Sequence, residues 1–152
     1  MMEMIIRKPH PEDFEQWFVL WEGYNEFYGR SGEKMLDPLI SRTTWNRFFD
    51  VDEPVHAIVA EYNGRLIGLS HYLYHRSTIT VEPSCYLQDL FVLQESRGNG
   101  VARKLIERVY SLAKTNGCSR VYWQTQETNH QAIQLYDKLA ERSGFVVYRK
   151  LL

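Results

Sequence analysis

Cysteine is scarce in this chain. Cys85 and Cys118 are too few for a disulfide framework, and neither belongs to a C-x-x-C pair. Free thiols in a reducing cytoplasm are therefore expected. Charge of one sign is missing as well: 18 Lys and Arg stand against 19 Asp and Glu, a net charge of -1. That balance removes any general attraction to nucleic acid or to an anionic membrane. No apolar run approaches the ~18 residues of a membrane span. The start, Met1-Met2-Glu3-Met4-Ile5-Ile6-Arg7, lacks the long apolar core of a signal peptide. Repeats, linkers and low-complexity stretches are absent too. The 152 residues then read as one domain, 1–152, able to bury about two-thirds of its unfolded surface.

Aromatic residues, by contrast, are plentiful at 14%. Met4–Arg7 reads as a short strand stopped by Pro9 and Pro11. From Pro11 to Tyr28, Phe14, Trp17, Phe18, Trp21 and Tyr24 recur at three- and four-residue spacing, one apolar face of a helix. A second helix is expected over Ser41–Phe49. Val55–Tyr62 alternates like a strand, and Asn63-Gly64 is a strong hairpin signal that makes Arg65–Tyr74 its partner. Ser84–Leu93 is a third strand in this run, with the polar pair Gln88-Asp89 inside it. Val101, Leu105, Val109 and Leu112 form a helical stripe that Asn116-Gly117 closes. Arg120–Thr125 is a strand, and Asn129 caps a helix striped by Ala132, Leu135, Tyr136 and Leu139. Ser143-Gly144 stops that helix before a last strand, Phe145–Leu151. The order β-α-α-β-β-β-α-β-α-β predicts an α/β (α+β) fold, a mixed, mostly antiparallel twisted sheet with helices on both faces.

Chemistry concentrates where the third strand of that run ends. Arg97-Gly98-Asn99-Gly100 joins the strand to a helix start, where unpaired N–H groups and the positive helix end can hold an anion. No Gly-Lys-Ser/Thr comes after it, so it is not a Walker loop, and Arg103 stands where the dinucleotide fingerprint needs Gly or Ala. The second element is Asn129-x-x-Ala132-x-x-Leu135-Tyr136, one strand later. Together the two segments resemble the GNAT superfamily of acetyl-CoA-dependent N-acetyltransferases. Its loop pattern Q/R-x-x-G-x-G/A is matched from Glu95 to Gly100 except at the first position, and its N-x-x-A-x-x-L-Y pattern is matched in full. Element order agrees over roughly Met4 to Leu151, and Tyr86–Val92 is closest to the polyamine-type and small histone/amino-acid-type enzymes.

The resemblance implies a GNAT-like acyl-CoA N-acyltransferase fold and a set of roles. Backbone N–H groups of Arg97, Gly98, Asn99, Gly100, Val101 and Ala102 would hold the coenzyme A pyrophosphate, with Arg103 adding charge. The edge at Leu90, Phe91 and Val92 would pair with the pantetheine arm, and an N–H near Leu90 would stabilise the oxyanion. Asn129, with Ala132 behind it, would hold the arm, and Tyr136 would protonate the departing thiolate. Similar polyamine-type enzymes carry a glutamate as suspected base where this chain has Gln88, which cannot serve. Asp89, Glu22, Glu26 or a water chain remain open for that role. Glu22, Tyr24, Glu26 and Gln88 are candidate acceptor-binding residues, the first three as part of a cage for an ammonium group.

His71 and His75 on one strand, with His56 and His130 elsewhere, lack a metal-binding pattern and read as surface or lining histidines; no metal is expected. The expected activity is direct acetyl transfer from acetyl-CoA to a primary amine of a small molecule (polyamine, diamine or amino acid). A protein lysine or N-terminal amine, or a non-catalytic acyl-CoA-binding module, is the alternative. Relatives of this kind dimerise through the C-terminal region, sometimes exchanging the last strand, so a homodimer is expected.

Overall fold

The hairpin signal at Asn63-Gly64 forms the turn it predicts. Asn63 (φ 53°) and Gly64 (φ 76°) both take the left-handed conformation of a two-residue hairpin turn. They join β2, Val55–Tyr62, to β3, Arg65–His75. The protein is described by a computed structural model covering residues 3–152; Met1 and Met2, where the signal-peptide reading begins, lie outside the described residues. β1 is Met4–Arg7, α1 is Phe14–Phe27 and α2 is Pro38–Arg47, all ahead of the hairpin. After it come β4, Ser84–Val92, α3, Val101–Thr115, β5, Arg120–Tyr122, and α4, His130–Leu139. The sheet runs β1-β2-β3-β4-β5, antiparallel except for the β4–β5 pair.

Two apolar clusters sandwich this sheet. On one face α1 contributes Trp17, Leu20, Trp21 and Tyr24, and α2 contributes Trp45, against Val59, Leu66 and Leu69. Each such side chain contributes about 1.5–3 kcal/mol by leaving water. On the other face α3 lays Val101, Leu105, Ile106, Val109 and Ala113 over Ile58, Ala60, Tyr72 and Leu87. Gly23 lets α1 lie close to β4: a Cβ there would come within 2.7 Å of the Phe91 ring. A staple ties the chain start to the sheet, Arg7 pairing with Asp13 at 2.7 Å and Glu61 at 2.9 Å.

Several boundaries differ from the sequence reading. The second helix starts at Pro38 rather than Ser41, because the Asp37 side chain accepts from the Leu39 N–H and Pro38 suits the first turn. The fourth helix stops at Leu139, and Asn129 occupies its cap position without capping: its side-chain amide donates to Thr125 Oγ1 at 3.3 Å. β5 keeps only three residues of the expected Arg120–Thr125 run. The largest correction is the last strand. Residues 140–152 form no strand, and Phe145 and Tyr148 are 87% and 92% exposed. The segment has strand composition, but a strand needs a partner edge, and among the described residues none pairs with it.

Candidate active site

β4 carries an irregularity at the polar pair noticed in the sequence. Tyr72 of β3 pairs with Leu87 and His71 with Asp89, so Gln88 is an extra residue, a β-bulge. Before the bulge Cys85 and Leu87 face α3; after it Leu90 and Val92 do. Asp89 therefore faces α1, opposite the direction that uninterrupted alternation from Leu87 assigns it.

A buried hydrogen-bond chain holds Asp89 in that position. Trp17 Nε1–H donates to His71 Nε2 at 3.0 Å, and His71 Nδ1 bonds Asp89 Oδ2 at 2.9 Å. An indole nitrogen only donates, so His71 Nε2 must carry the lone pair and Nδ1 the proton. Nδ1–H thus donates to the carboxylate. His71 is 2% exposed, which corrects its reading as a surface or lining residue. The Ser70 hydroxyl adds a bond to the Asp89 carbonyl at 3.0 Å. On the open side stands Tyr24, whose hydroxyl is pushed far up by burial and then by the neighbouring Asp89 charge.

The space beyond Asp89 is a cavity of about 660 Å³, within the usual range for small-molecule sites. One wall comes from α1 and the turn after it: Trp21, Tyr24, Asn25, Tyr28, Arg30 and Leu36. β4 supplies Tyr86 to Leu90, and the segment after β5 supplies Trp123 to Gln126. Ile106 of α3, Tyr136 of α4 and Arg149 complete it. The cavity exists because β4 and β5 part company. They pair at Ser84–Arg120, Cys85–Val121 and Tyr86–Tyr122, after which the β5-side edge of β4 from Gln88 onward has no strand beside it among the described residues. Tyr136 stands edge-on to Trp123, ring centroids 5.4 Å apart. Burial, then the nearby Tyr28, pushes its phenol up to about 12, so it holds its proton at neutral pH.

The glycine loop lies where β4 runs out. Gly98 (φ 81°) and Gly100 (φ 78°) both sit in the left-handed region, which side chains other than Gly, Asn or Asp rarely enter. The first backbone bond of α3 is Lys104 N–H to the Gly100 carbonyl at 3.1 Å, and Gly100 brings no side-chain cap. The N–H groups just before Lys104 are left for another acceptor, at the positive end of a 15-residue helix. Asn99 Nδ2 braces the turn on the Ser96 carbonyl at 3.2 Å, and Arg97 Nε is tied to the Val92 carbonyl at 2.9 Å. Arg103 sits on the exposed face, paired with Glu107 at 3.2 Å.

An open strand edge and a protonated tyrosine on one cavity, with an uncapped glycine loop where that strand runs out, suit acyl transfer from a thioester carried by a pyrophosphate-bearing coenzyme. Comparison with known proteins agrees: the model of the Acetyltransferase (GNAT) family matches residues 14–140. The chain belongs to that family. It is an acetyl-CoA-dependent N-acetyltransferase. It is 36% identical to D-amino-acid N-acetyltransferase HPA3 of Saccharomyces cerevisiae, covering 97% of this chain and 90% of that one. Thialysine N-epsilon-acetyltransferase of Caenorhabditis elegans is 26% identical, over 91% of this chain and 86% of its own. Among solved structures, aminoglycoside N-acetyltransferase AAC(6')-Iy in complex with CoA superposes with a TM-score of 0.81. It covers 99% of this chain and 96% of that one at 20% identity, a likeness of fold.

Within the acetyltransferase, Asp89, Leu90, Gln88, Tyr24 and Tyr136 gather at the cavity. Phe91 lies under α1 and Val92 is buried in the core. Glu22 and Glu26 do not join the others: both are exposed on α1 and neither lines the cavity. Asp89 is its one lining carboxylate among the described residues. Among those residues no group of His, Cys, Asp and Glu is placed to hold a metal ion, and no helix is long and apolar enough to cross a membrane. Arg30 and the His71–Trp17 support of Asp89 went unnoticed in the sequence. The one signal for the latter was a histidine two residues from both Leu69 and Leu73, in phase with apolar positions of its strand.

Proposed function

We propose that the enzyme acetylates the primary amine of a small molecule by direct attack in a ternary complex with acetyl-CoA. The observation that carries this reading is Asp89, held from behind by His71 and ringed by Trp21 and Tyr24, in one cavity with protonated Tyr136. Asp89 receives the acceptor as an ammonium and takes its proton, directly or through water. The amine nitrogen then attacks the thioester carbonyl carbon, and the oxygen's new charge is met by the backbone N–H near Leu90. As the carbon–sulfur bond breaks, the thiolate takes the Tyr136 phenol proton; the acetylated nitrogen gives up its surplus proton to solvent, from which Tyr136 is restored. The open β4 edge at Leu90 to Val92 pairs with the pantetheine arm, Asn129 holds it, and the N–H groups from Gly98 to Ala102 with Arg103 take the pyrophosphate, the Arg97 N–H being engaged instead by the Gln94 carbonyl at 3.2 Å.

An amino acid, a diamine and a polyamine all fit as acceptors at this level, and the D-amino-acid and thialysine activities in the relatives' names support a small one. The exposed apolar tail, residues 145–152, supports a homodimer in which the tails pair with a second copy; light scattering showing a monomer at micromolar concentration would refute it. Two free cysteines support a cytoplasmic setting for this single domain.

Coenzyme release over a panel of amines tests the activity, and Tyr136→Phe tests the mechanism. We expect kcat to fall ~10²-fold or more with coenzyme A affinity retained. An unchanged kcat removes Tyr136 as the acid. No thiol release with any amine leaves only a binding module.

A further inference from the structure

Arg30 lines the cavity in an arrangement the acetyl transfer does not explain. It lies just beyond α1, and its backbone N–H bonds the Asn25 carbonyl at 2.8 Å. Its Nε donates to Asn25 Oδ1 at 2.7 Å, while Asn25 Nδ2 is itself anchored to the Trp21 carbonyl at 2.8 Å. Asn25 is 4% exposed, so the first nitrogen of the guanidinium is fixed by a buried side chain. The guanidinium carbon is 5.7 Å from the Tyr24 ring centroid and 5.4 Å from that of Tyr28. Two aromatic rings and one short hydrogen bond therefore set its direction.

Its two terminal nitrogens have no hydrogen-bond or ion-pair partner among the described residues. Arg7, Arg47, Arg65, Arg103 and Arg142 each face a carboxylate; Arg97 and Arg120 resemble Arg30 in having one Nε bond and an aromatic ring beside the guanidinium, but neither lines the cavity. A guanidinium oriented on a partly buried aromatic wall, with its fork unused, is prepared for a carboxylate or similar planar anion. It also shares that wall with Asp89: the Tyr24 and Tyr28 hydroxyls are pushed up by burial and by Asp89, while Arg30 pulls them down. One ring pair thus separates the cavity's single carboxylate from its oriented cation.

The geometry points to Arg30 as the anchor for a carboxylate on the acceptor, making the acceptor an amino acid whose amine meets Asp89 while Arg30 forks its carboxylate. This rests on the acetyltransferase reading above and narrows it. A diamine or polyamine would bring a second ammonium to a cavity with no second carboxylate. There Arg30 and Arg149 would repel it, and Glu22 and Glu26 point outside.

The test compares kcat/KM for amino acids and their decarboxylated amines: phenylalanine (both enantiomers) against phenethylamine, lysine against cadaverine, with spermidine included. A charge-assisted fork should favour the amino acid of each pair by ~10- to 100-fold. Arg30→Gln should collapse that ratio to within about 3-fold, through the amino-acid KM and not the acetyl-CoA KM. Arg30→Lys, which keeps the charge and loses the fork, should restore part of it. If Arg30→Gln does not fold, methyl esters of the same amino acids put the question to the wild type, and losing the charge there must cost the same factor. Equal turnover of amino acid and decarboxylated amine, or a ratio that Arg30→Gln leaves intact, overturns the anchor and leaves the acetyltransferase standing. No thiol release with any amine overturns both.

Discussion

His71→Phe separates a structural histidine from one that holds the working carboxylate. The phenyl ring fills nearly the same space, so little cavity energy is involved. Two buried polar groups are left without partners: Trp17 Nε1, on a residue with 0% exposure, and Asp89 Oδ2, on a residue with 8%. Each orphaned group costs about 1–3 kcal/mol, the carboxylate toward the upper end. The expected loss is therefore about 3–5 kcal/mol, or a melting temperature lower by roughly 6–20 °C for a chain of this size. Urea unfolding at unchanged m-value measures it. The cycle with Asp89→Leu is the sharper reading. With both partners gone only Trp17 remains unsatisfied, so the double variant should be more stable than the sum of the singles by about 1.5–3 kcal/mol. Activity obeys the same logic: Asp89 freed from Nδ1–H can turn away, so amine kcat/KM falls while acetyl-CoA KM holds. A loss under about 1 kcal/mol with no coupling in the cycle would show that the chain does not fix Asp89.

Gly100→Ala is a pure conformational test, since φ is 78° and nothing lies within 4 Å of the added Cβ. The left-handed conformation costs an L-residue about 1–2 kcal/mol. That amount should appear in stability, or, if the loop relaxes, as coenzyme A affinity lower by ~5- to 30-fold by calorimetry; no change in either removes the loop from the site. Alkaline pH gives a further check. Burial pushes Tyr136, and likewise Tyr72, up to about 12. The unfolded chain releases these protons near pH ~10, while the folded one keeps them, so stability should fall between about pH 10 and 12. Stability rising over that window in urea melts would refute the burial assignment.

Much of the fold and site is readable in the chain because the signals are local. Periodicity fixes α1 and α3, Asn63-Gly64 fixes the hairpin, and glycines whose φ must be positive mark the loop. Spacing alone finds the helix with Asn129 and Tyr136. The features that fail depend on placement that composition and periodicity do not report. Phe145–Leu151 has strand composition, yet whether it is a strand depends on an edge that no local pattern reports. Glu22 and Glu26 are attractive for charge and proximity to aromatic residues, but their phase on α1 turns them outward. Arg30 sits in a Gly-Arg-Ser-Gly break that reads as a turn, and only the fold brings it over Tyr24 and Tyr28.

Asp89 is the most instructive case. Counting by twos from Cys85 and Leu87 sends Asp89 into the apolar layer under α3, where an unpaired carboxylate would cost several kcal/mol. A chain that kept that alternation would not tolerate Asp at this position. Gln88, which resembles a failed catalytic base when matched against relatives, is the residue that breaks the count. Its insertion turns Asp89 toward His71 and lies where β4 leaves β5. One extra residue therefore sits beside two features the proposed mechanism uses: a carboxylate facing α1, and a strand edge with no partner among the described residues. The departure from the family pattern at Gln88 is then compatible with catalysis, because the carboxylate that His71 supports is the next residue along.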